Sequence, residues 1–169
     1  MDLFGRFRRQ RVEFAEPDRL VRAIQQAIDE LMAEGVIKRE AEAPEETGAH
    51  RYDGFCARAV QAYWRFTRDP EYAYLADYPS VEPWQLGTGK KGHHWLRIKG
   101  TDKILDLNIG PDEEPDLGYR YDKGRQRKQG YQPRTAGSNI PHRNDAQMIM
   151  ERVRRNNPPV GAAPRSGNS

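Results

Sequence analysis

The chain has 169 residues, 31% charged and 36% hydrophobic, with a net charge of only +3. These values suit one polar domain with a small core and long loops, and exclude a whole-molecule field as the means of holding nucleic acid. One cysteine excludes an internal disulfide framework, and no apolar run is long enough for a signal peptide or a membrane span, so a cytoplasmic chain without membrane contact is expected.

Residues 1–15 carry Arg6, Arg8, Arg9 and Arg11 between Phe4, Phe7 and Phe14 and read as a loosely docked basic arm. Glu16-Pro17-Asp18 then opens a helix, and a single α+β domain is expected over 16–155. Leu20, Ile24, Ala27, Ile28 and Leu31 form its apolar stripe, and Gly35 stops it. Arg19, Arg22, Gln25, Gln26, Asp29 and Glu30 read as its solvated face. Residues 38–52 are a polar connection in which His50 reads as a surface histidine.

Gly54-Phe55-Cys56 is the centre of the chain. Ala59, Val60 and Tyr63 continue a helical stripe behind Cys56, and the helix runs to about Arg68, before Asp69-Pro70. Cys56 therefore lies in a first helical turn, whose unpaired N–H groups favour thiolate over thiol. A lone cysteine in a helix is most often a small buried hydrophobe, so the downstream pattern has to decide its role.

Residues 70–92, with Pro70, Pro79 and Pro83, predict a long loop whose Trp84 and tyrosines cover the core. Gly87-Thr88-Gly89-Lys90-Lys91-Gly92 lacks the spacing of a Walker motif and reads as a flexible approach to a strand. His93 to about Lys99 alternates as a strand, Gly100-Thr101-Asp102 turns, and Lys103 to about Ile109 returns. The parity of the turn selects the histidine. An even loop puts Leu96 and Ile98 on one face with Leu105 and Leu107, and His93, Trp95 and Asp106 on the other. An odd loop would pair His94 with Asp106 and split the apolar set, so His93 is the first choice and His94 the second. Cys56, His93 and Asp106 then supply a thiol nucleophile, its base and the base's orienter.

Residues 110–140 read as irregular. Tyr119–Arg134 interleaves arginine and lysine with Tyr119, Tyr121 and Tyr131. Such a stretch could stack bases and pair phosphates, which gives the alternative of a non-catalytic nucleic-acid-associated module; a solvated loop with inward tyrosines weighs more. A last helix is predicted from Pro141 or Asn144, with Ala146, Ile149, Met150 and Val153 as its stripe, and residues 156–169 are expected to be disordered. No Cys-x-x-Cys or His-x-x-x-His spacing supports a metal site, and neither metal nor cofactor is expected.

Gly54-Phe55-Cys56 on a helix start, His93-His94-Trp95-Leu96 on a strand and Leu105-Asp106-Leu107-Asn108 on the next resemble the transglutaminase-like branch of the papain-like cysteine superfamily. Asn108 stands where that branch usually has threonine. Tyr121-Asp122-Lys123-Gly124 and the last helix resemble the corresponding parts of small phage and bacterial proteins of this type. The resemblance covers roughly residues 50–155. It implies a central Cys-bearing helix on a small antiparallel sheet. It also implies acyl transfer on a peptide or protein amide, as a peptidase, an amidase or a transglutaminase-like enzyme.

Overall fold

Local chemistry sets the first helix. In the computed structural model Asp18 caps it, its Oδ1 accepting from the Val21 N–H at 2.9 Å, and α1 spans Arg19–Ala33. Gly35 follows with φ +71°, a conformation that glycine adopts without strain. The two other helices are α2, Cys56–Phe66, and α3, Asp145–Asn156. The structure describes residues 12–39, 50–87, 92–115, 119, 121–127 and 145–162.

The strands are β1 (Glu13–Phe14), β2 (Val81–Leu86), β3 (His93–Ile98), β4 (Lys103–Leu105) and β5 (Arg125–Gln126). They form one sheet in the order β1-β4-β3-β2-β5, with β1 parallel to β4 and the other neighbours antiparallel. The fold is therefore α+β, three helices on a five-stranded mixed sheet among the described residues. The α2 helix touches α1, α3, β2 and β3. Its Ala59, Val60 and Tyr63 are fully buried, as is the predicted stripe of α1 apart from Leu31, which keeps 4% exposure.

The connection between β3 and β4, residues 99–102, is even, and Leu96 lies opposite Leu105. Apolar coherence fixed the register as expected. Leu96, Leu105 and Leu107 join the main core with the helices, while Trp95, Ile104 and Tyr121 form a second cluster with Phe14, Trp84 and Tyr119.

Several expectations need correction. Residues 70–92 contain a 3₁₀ turn, Ala73–Leu75, and the longest pairing in the sheet, β2 with β3. Pro83 concealed this strand, because proline is normally confined to edges. Here its carbonyl accepts from the Arg127 N–H at 2.7 Å, on the β5 side. The missing donor thus faces the short β5 rather than β3. Residues 12–15 are not loosely docked: Ala15 N–H donates to the Ile104 carbonyl at 2.8 Å, and β1 makes the sheet mixed rather than antiparallel. The rest of the arm, residues 1–11, lies outside the described residues.

The return strand ends at Leu105, not near Ile109. Asp106 Oδ1 accepts from the Asn108 N–H at 3.0 Å, a side-chain turn that competes with the ladder. Gln25, placed on the solvated face of α1 by its spacing, is 2% exposed. Its Nε2 donates to the carbonyls of Leu107 (3.1 Å) and Ile109 (2.8 Å) and clamps this turn. Beyond α3, Val160 N–H donates to the Glu71 carbonyl and Tyr74 OH to the Pro158 carbonyl, so the expected disordered tail is held at least to these residues. Residues 163–169 lie outside the described residues.

Candidate active site

Gly54 has φ +87° and turns the chain into α2. Phe55, fully buried, occupies the N-cap position and supplies no side-chain cap. Among the described residues, no side chain accepts from the first N–H groups of α2 next to Cys56. Arg58 lies over the Phe55 ring at 4.3 Å, and its Nη2 donates to the Gly54 carbonyl at 2.5 Å.

His93 is the first residue of β3, opposite Leu86. Its Nε2 hydrogen-bonds Asp106 Oδ2 at 2.7 Å. The Cys56 side chain lies close enough to the same imidazole to favour its charged form. Cys56 Sγ also lies 3.8 Å from the carbonyl oxygen of Gly92, just before His93. Three separate segments are therefore brought together at one ring. Cys56 keeps 8% exposure and the His93 side chain 14%, so neither group is sealed off.

Asp106 is well served as an ionised acceptor. Oδ2 takes the His93 bond and the Tyr121 hydroxyl at 2.7 Å, and Oδ1 takes the Asn108 N–H. Burial pushes its pKa up, but His93, Tyr121 and Asn108 outweigh burial and hold it below the usual carboxylate range. For His93, burial pushes down, yet Asp106 and then Cys56 raise it to about 10.

His94 is not brought to Asp106. It pairs with Gln85 across the β2–β3 ladder, on the opposite side of the strand from His93. Burial first, then Arg127 and His93, depress it to about 4. His50 lies 3.6 Å from Glu113 through Nδ1.

Tyr121 is the member that the sequence does not reveal; it reads there as one tyrosine of the basic stretch and as the head of a Tyr-x-Lys-Gly segment. Tyr119 and Tyr121 contact the His93 ring edge-on at 4.8 and 6.4 Å, and Trp95 stacks on it at 5.7 Å. The glycine of that segment carried the usable signal. A methyl group on Gly124 would overlap the six-membered ring of Trp95, so only glycine lets this segment close over the aromatic wall. Of the 119–134 stretch, Tyr119 and residues 121–127 are described; Lys128, Tyr131 and Arg134 lie outside the described residues, as do residues 88–91 of the glycine-rich approach.

No protein-family profile, curated protein or solved structure matches this chain. The functional reading therefore rests on the residues and their geometry. Among the described residues, no group of three or more His, Cys, Asp or Glu side chains could hold a metal ion, and no helix is long and apolar enough to cross a membrane.

The two histidines give opposite pH dependences. The folded value of His94, about 4, lies below the ordinary 6.5, so the unfolded chain binds a proton that the folded chain refuses, and stability falls as pH drops through that window. His93, raised to about 10, contributes fully below 6.5 and loses its contribution as pH rises through 10. The urea midpoint is expected to peak near pH 6.5, and His94→Gln should flatten the acid side alone. An acid side unchanged by that substitution would assign the loss to other groups.

Proposed function

We propose that this chain is a cysteine-dependent acyl-transfer enzyme that acts on a peptide or protein amide. The observation that carries the reading is the imidazole of His93, bonded to the Asp106 carboxylate, with the Cys56 sulfur set against the carbonyl of the preceding Gly92. Asp106 accepts from Nε2 and leaves Nδ1 as the nitrogen that exchanges a proton with sulfur. Cys56 Sγ attacks the amide carbonyl carbon and its proton passes to His93. The tetrahedral intermediate collapses with cleavage of the C–N bond, and His93 protonates the leaving amine. Water or an amine then attacks the thioester, gives its proton to His93, and the thiol is regenerated. Asp106 holds the ring orientation and stabilises its charged form throughout. The free N–H groups at the start of α2, that of Cys56 among them, would stabilise the oxyanion.

The finer fold reading, a papain-like or transglutaminase-like core, draws support from the same arrangement. The cysteine heads a central helix, the histidine opens β3, and the aspartate follows β4. In the nucleic-acid alternative, Tyr119 and Tyr121 would have to leave their contacts with His93 and Trp95 before they could stack on bases.

The test is the rate of Cys56 alkylation by iodoacetamide against pH. An activated pair gives rapid alkylation well below the range of a free thiol. A profile with one inflection at about 8.5, the value of an unassisted cysteine, would refute the reading.

A further inference from the structure

Asn108 is 2% exposed and lies one turn beyond Asp106. Its Nδ2 stands 2.6 Å from Asp53 Oδ1 and 3.3 Å from His93 Nδ1. Its Oδ1 is buried and, among the described residues, makes no hydrogen bond. An amide nitrogen carries two hydrogens and accepts none. One hydrogen is committed to the Asp53 carboxylate. Turning the amide over would set its oxygen against that carboxylate, so the orientation is fixed even though Oδ1 goes unsatisfied. Asp53 is itself held: Oδ2 accepts from the His50 N–H at 3.2 Å, and Arg39 donates to its backbone carbonyl at 2.6 Å. The second hydrogen of Nδ2 is left for His93 Nδ1.

We propose that Asn108, oriented by Asp53, is a positioning residue that keeps the lone pair of His93 on Nδ1 and the ring proton on Nε2, the tautomer in which Nδ1 takes the proton of Cys56 once the Asn108 hydrogen bond gives way. Its use in catalysis rests on the acyl-transfer reading above; its effect on the ring does not. The groups that face the ring are Asp106 after β4, Cys56 of α2, Tyr119, Tyr121 and, through Asn108, Asp53, while His94 acts on it from the opposite side of β3. Asp106 and Cys56 favour a ring protonated on both nitrogens. Asn108 opposes them, because its hydrogen bond exists only while Nδ1 is bare, and a hydrogen bond to the neutral form disfavours the charged one. Without such a counterweight the imidazole would take the thiol proton and hold it. With it, the ring can pass the proton on to a leaving amine.

The experiment is a pH titration of the full chain labelled with ¹⁵N-histidine, followed by long-range ¹H–¹⁵N correlation, with His93 assigned by its absence in His93→Gln. In the wild-type chain above its titration, His93 should carry its proton on Nε2. Asn108→Ala and the near-isosteric Asn108→Leu should each raise the His93 titration by about one unit. A titration unchanged or lowered in either folded variant would overturn the proposal. So would a wild-type neutral ring protonated on Nδ1, a measurement that needs no variant to fold. If His93 responds as expected but wild-type Cys56 alkylates like a free thiol, the positioning role stands and the acyl-transfer reading falls.

Discussion

His93→Ala is expected to slow alkylation of Cys56 at pH 6 to 7 by about ten-fold or more, while His94→Ala leaves the rate within about two-fold. The asymmetry follows from the register. His93 faces Asp106 and Cys56, whereas His94 points to the other side of β3 and is held neutral by burial, with a value near 4. Removing the imidazole takes away the group that would accept the thiol proton. The effect on alkylation is smaller than the change in thiolate fraction, because a less basic thiolate is also a weaker nucleophile. On an amide substrate the loss should be larger, on the order of 10² to 10⁴, since in the proposed mechanism the same ring also protonates the leaving amine. Equal effects of the two substitutions, or a faster reaction in His93→Ala, would sink the assignment of His93 as base.

The choice between adjacent histidines was legible before any coordinates, and for a physical reason. Leu96, Ile98, Leu105 and Leu107 can share one face only if the turn is even, and that parity turns His93 and Asp106 to the other face. The stripes of α1 and α2 were legible on the same grounds of burial. What stayed hidden was written in tertiary hydrogen bonds. Pro83 reads as a strand breaker until its ring nitrogen is seen to face the short β5. Gln25 reads as solvated until the carbonyls of Leu107 and Ile109 approach it. Tyr121 gives no local sign that its hydroxyl reaches Asp106, because the two lie 15 residues apart in the sequence. Asn108, noticed only as a departure from threonine, gave no hint of Asp53 as its partner.

Arg58→Met is expected to destabilise the fold by about 3–5 kcal/mol in urea denaturation, the usual cost of breaking a buried ion pair from one side. Arg58 is 6% and Asp145 7% exposed, and Nη1 of Arg58 bonds Asp145 at the start of α3. The same guanidinium donates to the carbonyls of Gly54 at 2.5 Å and Lys38 at 3.2 Å. One side chain thus joins the last helix to the turn that delivers Cys56. Against a total stability of about 5–15 kcal/mol, the loss is a large fraction. The double variant Arg58→Met with Asp145→Leu separates two origins of that cost. If the carboxylate that has lost Arg58 dominates, removing both partners should recover most of the loss, since a buried pair is often no better than well-packed apolar groups. If the carbonyls of Gly54 and Lys38 dominate, the double variant stays as unstable as the single one. The pair reading predicts recovery, with Cys56 alkylation still slower than in the wild-type chain, because the Gly54 turn has lost its tie whichever charge is removed. A single-variant cost below about 1 kcal/mol would mean that water screens the pair and that Arg58 does not hold this turn.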